Sequence, residues 1–255
     1  MTASPKTVRL RIQLYDPKTD PEPHYDVFDV PIRPRMTVLD ALFEVLEKQD
    51  RFLAFRYSCR SAVCGSCAAY INGRQRLACN TQVSTLGDEI TIAPLPHLPV
   101  IRDLVVDLHP FFQKIDMIKP YFNAPQPYPE KEFLQSPRDR EAVDTAIDCI
   151  DCAACYSACP MSWTDQNYPG PAALLKAARF INDSRDAATA ERLRLVGCED
   201  GLWRCHTVFN CADACPKKLN PTNFIQQLKR RATRSKSRPH EYSNETANFF
   251  AAKSP

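Results

Sequence analysis

Cys59-x4-Cys64-x2-Cys67, followed after eleven residues by Cys79, places four thiols within a short stretch of chain. A loop and a returning strand with this spacing hold a 2Fe-2S cluster through four thiolates. Gly65 and the small residues Ser58, Ser61, Ala62 and Ser66 let backbone N–H groups turn toward the sulfurs. The hairpin signal Asn72-Gly73 brings Cys79 back to the fourth corner.

A second group runs Cys149-x2-Cys152-x2-Cys155-x3-Cys159-Pro160. In such a run the fourth cysteine ligates the other of two clusters, so a partner run is required. Repeating the spacing from Cys205 calls for ligands at 205, 208, 211 and 215, and the sequence supplies Cys205, Val208, Cys211 and Cys215-Pro216. Exchanging the fourth cysteines gives Cys149, Cys152, Cys155 and Cys215 for a 4Fe-4S cluster. It leaves Cys159, Cys205 and Cys211 for the other. Three thiolates, with apolar Val208 where a fourth iron needs a donor, imply a 3Fe-4S cluster. Eleven of the twelve cysteines are then used, and Cys198 is read as a small buried hydrophobe that binds no metal.

The rival reading of the cysteines is a pair of zinc modules, since C-x2-C pairs also build zinc sites. Zinc knuckles set two such pairs at two corners, whereas the triple run ending in Cys-Pro and the C-x4-C-x2-C loop are iron–sulfur patterns. A disulfide framework is disfavoured because Met1 to Val8 shows neither an apolar export core nor an amphipathic presequence.

The 255 residues suffice for two domains, and a formal charge of +3 gives no bias toward nucleic acid. No stretch approaches the roughly 20 apolar residues of a bilayer-spanning helix. The six glycines include no G-x-G-x-x-G, so flavin or dinucleotide binding by this chain has no support.

The expected fold class is α+β. Val8, Leu10, Ile12 and Leu14 alternate with polar residues, as do Phe28, Val30 and Ile32, which predicts two strands. Thr37 and Asp40 form a capping box for a helix to about Lys48 with Val38, Leu42, Val45 and Leu46 on one face. Strands are expected at Ala69–Ile71, Arg76–Cys79 and Glu89–Ile92. Nine prolines between Pro94 and Pro137 predict a linker without long regular elements. Helices are expected after Gly170-Pro171, over Ala190–Val196, and after Asn220-Pro221. The domain boundaries expected are 1–108, a linker over 109–138, a helical domain over 139–240 and a tail over 241–255.

Arg60-Ser61-Ala62-Val63-Cys64-Gly65-Ser66-Cys67, the run Cys149 to Pro160, and Arg204-Cys205-His206 through Pro216-Lys217 resemble the iron–sulfur subunits of succinate dehydrogenases and fumarate reductases. The resemblance implies a β-grasp 2Fe-2S domain and a helical, bacterial two-cluster ferredoxin-like domain. It implies a partner flavoprotein bearing FAD, membrane-anchor subunits with or without haem b, and a quinone of unspecified type. The expected function is electron transfer in a succinate:quinone oxidoreductase, serving succinate oxidation to fumarate in the tricarboxylic acid cycle and respiration. The alternative is a quinol:fumarate reductase subunit running in reverse. Peripheral attachment to the cytoplasmic face of a bacterial cell membrane is expected, held by the anchor subunits.

By the same resemblance Pro160, Trp163 and His206 lie between the 3Fe-4S cluster and quinone. Trp163 offers an indole N–H and His206 can donate or relay a proton. The family often carries two adjacent tryptophans here, and this chain has Trp163-Thr164. Arg56 and Arg60 are expected to face the flavoprotein, to offset cluster charge or to be solvated. The basic stretch Lys229, Arg230, Arg231, Arg234, Lys236 and Arg238 is read as solvated, with anionic lipid as the alternative.

Overall fold

The computed structural model describes residues 6–234. The expected tail over 241–255, the first five residues, and Lys236 and Arg238 of the basic stretch lie outside the described residues. The chain divides into two compact units. The first comprises Met1–His109, Ile150–Ala158 and Ala214–Pro216, and the second comprises Pro110–Cys149, Cys159–Asp213 and Lys217–Pro255.

In the first unit, strands β1 (Thr7–Leu14) and β2 (His24–Pro31) form an antiparallel pair. Helix α1 spans Val38–Lys48 and opens on the expected capping box, with the Thr37 hydroxyl accepting from the Asp40 N–H and the Asp40 carboxylate accepting from the Thr37 N–H. Strands β3 (Ala68–Ile71), β4 (Arg74–Leu77) and β5 (Glu89–Ala93) complete a mixed sheet in the order β2-β1-β5-β3-β4, with β5 parallel to β1. The alternating Val8, Leu10 and Ile12 are wholly buried with Ile90 and Ile92 of the neighbouring strand, and Val38, Leu42 and Val45 of α1 join the same core. Burying such a side chain contributes about 1.5–3 kcal/mol, so the period-2 pattern sets the register of the sheet.

Two details differ from the sequence expectation. The hairpin closes tightly at Asn72-Gly73, both with positive φ, so β4 begins at Arg74 and ends at Leu77. Cys79 therefore sits in a 3-10 turn, Ala78–Asn80, rather than on a strand. The proline-rich stretch contains the small hairpin β6 (Val100–Arg102) and β7 (Val105–Val106), and then the nine-residue helix α2 (His109–Met117). Pro110 sits in the first turn of α2, where its missing N–H costs nothing, and no proline follows until Pro120. The linker expected to lack long regular elements thus carries one nine-residue helix where its prolines leave room.

Helix α3 (Pro137–Asp144) has Ser136 as its N-cap, the hydroxyl accepting from the Asp139 N–H at 3.1 Å. Helix α4 (Ala154–Ala158) belongs to the first unit and packs against β4. The second unit is helical: α5 (Pro160–Thr164), α6 (Gly170–Ile181), α7 (Thr189–Val196), α8 (Asn210–Asp213) and α9 (Pro221–Arg234). Helix α6 is its centre, with Leu174, Ala178 and Ile181 buried, and it packs against α7 and α9. Arg192 of α7 is 1% exposed and holds the 119–121 segment, donating to the carbonyls of Lys119 and Tyr121 while pairing with Asp186 at 2.5 Å. Among the described residues no helix is long and apolar enough to cross a membrane.

Candidate iron–sulfur sites

The loop from Cys59 to Cys67 turns its backbone donors inward. Arg60, Ala62 and Gly65 have φ of 55°, 56° and 73°. Alternating such left-handed residues with ordinary ones points successive N–H groups to one side, a concavity suited to negative charge. The N–H groups of Ser61, Val63 and Cys64 donate to Cys59 Sγ at 3.4, 3.4 and 3.3 Å. The Cys59 N–H donates to Cys64 Sγ at 3.5 Å, and the Cys79 N–H to Cys67 Sγ at 3.5 Å. Cys59 is thus brought to Cys64 and Cys79 to Cys67, and Cys64 lies near enough to Cys67 to act on it electrostatically.

Hydrogen bonding by the Ser66 side chain, with backbone donors, holds the Cys64 thiol down to about 6. Burial pushes the Cys67 thiol up to about 12, so a thiolate there requires a cation to stabilise it. Four sulfurs within a ring of N–H donors fit an anionic 2Fe-2S cluster, whose thiolates and sulfides need this kind of charge-assisted donor. Arg60 lies over the rings of Phe43 and Tyr57, at 4.7 and 5.4 Å from their centroids.

The two later runs share a backbone signature. Asp151 and Ala153, two and four residues after Cys149, have φ of 54° and 60°. Thr207 and Phe209, at the same offsets from Cys205, have φ of 61° and 67°. Each run then enters a short helix, α4 or α8, and ends on Cys-Pro. The repeat is therefore conformational as well as sequential, and Val208 occupies the loop position that Cys152 holds in the other run. A β-branched Thr207 and a bulky Phe209 in the left-handed region are strained, which marks a loop shaped for its site.

Cys152, Cys155 and Cys215 all belong to the first unit. Gly65 abuts Cys152 so closely that a Cβ added there would lie 2.7 Å from the Cys152 Cβ and 2.8 Å from the Ile150 carbonyl oxygen. The 2Fe-2S loop and the Cys152 loop thus touch through a residue without a side chain. Both loops line a small cavity that Arg56 also lines.

In the second unit Cys159, Cys205 and Cys211 line a small cavity together with Val208, Pro160 and His206. Val208 is 52% exposed and presents only hydrocarbon there. Two hydroxyls escaped sequence reasoning. Tyr168 is 1% exposed and lines the cavity beside Cys205, and Thr222 Oγ1 lies 3.2 Å from Cys211 Sγ. Burial, reinforced by Cys205, Cys159 and Cys211, drives the Tyr168 hydroxyl far above the usual phenol range, so it stays protonated and can only donate to a thiolate. Lys229 Nζ donates to the Cys205 carbonyl at 2.8 Å. Trp163, 44% exposed, is not among the residues lining this cavity. Cys198 also lies outside the lining, with burial pushing its thiol upward.

Among the described residues no three His, Cys, Asp or Glu side chains converge as they would around a single metal ion. The Cys59–Cys64 loop instead surrounds its sulfurs with backbone donors.

Comparison with known proteins places these loops in context. Residues 9–113 match the model of a 2Fe-2S iron–sulfur cluster binding domain, and residues 145–219 that of a 4Fe-4S dicluster domain. The chain is 43% identical over 223 residues to a succinate dehydrogenase iron–sulfur subunit of Paracoccus denitrificans, covering 87% of this chain and 86% of that one. It is 47% identical over 197 residues to a mitochondrial succinate dehydrogenase [ubiquinone] iron–sulfur subunit 1 of rice, Oryza sativa subsp. japonica, covering 76% and 70%. A chain of the Mycobacterium smegmatis Sdh1 complex in the apo form superposes with a TM-score of 0.85 at 28% identity, over 92% of this chain and 99% of that one. With its two ferredoxin-like domains and this extent of identity, the chain belongs to the family of succinate dehydrogenase iron–sulfur subunits.

Proposed function

We propose that this electron-transfer subunit carries electrons from the FAD of a partner flavoprotein, through three clusters, to membrane quinone. The observation that carries the reading is the repeated loop: two runs with the same left-handed offsets, one of which has Val208 in place of a cysteine. We assign Cys59, Cys64, Cys67 and Cys79 to 2Fe-2S, Cys149, Cys152, Cys155 and Cys215 to 4Fe-4S, and Cys159, Cys205 and Cys211 to 3Fe-4S. When bound, such clusters supply one-electron transfer, matching the two-electron chemistry of succinate and quinone in single steps.

The chain's own part is to hold, space and insulate these centres. Gly65 lets two loops approach, backbone N–H groups stabilise the sulfur charge, and the apolar face of Val208 withholds a ligand. Pro160, His206 and Trp163 are proposed to shape the quinone end, with His206 able to pass a proton and Trp163 to donate one hydrogen bond. The helical unit is proposed to follow the bacterial two-cluster ferredoxin pattern, and the functional segments to be 1–108, 109–138, 139–240 and 241–255. Attachment is proposed to be peripheral, through anchor subunits at the cytoplasmic face, consistent with the lack of a membrane-crossing helix among the described residues.

Adding succinate anaerobically to the purified complex tests the reading. Visible bleaching of the iron–sulfur absorption, reversed by a quinone, is the expected result, and no bleaching with intact clusters contradicts it. The relatives' names favour this direction over fumarate reduction.

A further inference from the structure

We infer that the hydroxyls of Thr222 and Tyr168 raise the electron affinity of the cluster assigned to Cys159, Cys205 and Cys211. This rests on the cluster assignment proposed above.

Thr222 is 1% exposed, in the first turn of α9, and its Oγ1 lies 3.2 Å from Cys211 Sγ. Either atom of a free thiol and alcohol pair can donate, but an iron-bound thiolate has no proton, so the Thr222 O–H must be the donor. Tyr168, also 1% exposed, lines the same cavity beside Cys205, in the segment that precedes α6. Thr222 sits on α9, which packs on α6 and α8, so its hydroxyl is fixed by a buried helix rather than by a mobile loop. One of the three sulfurs therefore receives a buried side-chain donor, and a second buried hydroxyl stands in the same cavity wall.

Reduction adds one electron to the cluster and makes its sulfurs more negative. A donor held on a ligand sulfur stabilises the reduced form more than the oxidised one, and so raises the reduction potential. Neither hydroxyl gives up its proton in this step. The donated charge is partial and is in place before the electron arrives.

The test is an EPR-monitored redox titration of the assembled complex, with dithionite as reductant, for the parent, Thr222→Val, Thr222→Ser and Tyr168→Phe. Thr222→Val keeps the shape of the side chain and removes the donor. It should weaken electron binding about tenfold, which is about 59 mV lower for a one-electron centre. Thr222→Ser should stay within about threefold of the parent, and Tyr168→Phe should fall in the same direction as the valine variant. The 2Fe-2S midpoint serves as an internal reference and should not move. An intact signal with an unchanged midpoint in Thr222→Val overturns the inference. If that variant fails to assemble the cluster, Tyr168→Phe decides, a lowered midpoint supporting the inference and an unchanged one overturning it. An absent oxidised 3Fe-4S signal in the parent would instead refute the cluster assignment itself, which separates the two failures.

Discussion

The Cα of Gly65 approaches Cys152 so closely that even a methyl group has no room, its Cβ falling 2.7 Å from the Cys152 Cβ and 2.9 Å from the Cys152 Cα. Two loops that each bear proposed cluster ligands are thereby held in van der Waals contact.

Gly65→Ala should consequently both strain a residue at φ +73° and push the Cys152 loop away. We expect a loss of about 2–3 kcal/mol, from left-handed strain and overpacking together. Urea unfolding of the complex-derived subunit and its iron content check this. Wild-type stability and full iron content in the variant would show that the contact yields easily.

Val208→Cys should place a fourth thiolate on the loop that already matches the Cys149 run in backbone form. The expected outcome is a fourth iron and loss of the oxidised 3Fe-4S EPR signal. An unchanged signal would show that the valine position does not face the cluster.

Arg192→Met should cost about 3–5 kcal/mol, because it leaves the fully buried Asp186 carboxylate without its cation and releases the Lys119 and Tyr121 carbonyls. Denaturant midpoints measured at constant slope give the value. A loss below about 1 kcal/mol would mean that the two backbone N–H bonds to Asp186, from Asn123 and Ala188, suffice by themselves.

Lys114 is 3% exposed and donates to the Gln166 carbonyl, and burial lowers its ammonium from 10.5 to about 8. The folded state therefore binds fewer protons than the unfolded state between about pH 8 and 10.5. Stability from this group rises with pH through that window and is lowest below it, by about 3 kcal/mol. The difference in unfolding free energy between wild type and Lys114→Met, followed from pH 7 to 10.5, should change by that amount in favour of the wild type. A flat difference would place the Lys114 ammonium in contact with water.

Much of the architecture is legible from residue order. The alternation of Val8, Leu10 and Ile12 marks a strand because every second side chain meets the core, and Thr37 with Asp40 marks a helix start because two orphan N–H groups are satisfied at once. The proposed gap in the ligand set is equally plain, since a fixed spacing makes Val208 conspicuous. What stays hidden depends on packing at a distance. Helix α2 is masked by the proline count around it, although its own stretch carries a proline only in the first turn. Thr222 becomes a sulfur donor only because α8 and α9 meet, and nothing near it in sequence records that meeting. The left-handed turns at Thr207 and Phe209 are likewise unreadable, because residue type argues against them and only the loop's closure around its site demands them.

Low-temperature EPR of the anaerobically purified complex, as isolated and after graded reduction, with iron, sulfide and zinc analysis, tests the central claim most directly. The account predicts an oxidised 3Fe-4S signal that gives way on reduction to 2Fe-2S and 4Fe-4S signals. Stoichiometric zinc without iron, or two 4Fe-4S clusters in the unaltered chain, would contradict it.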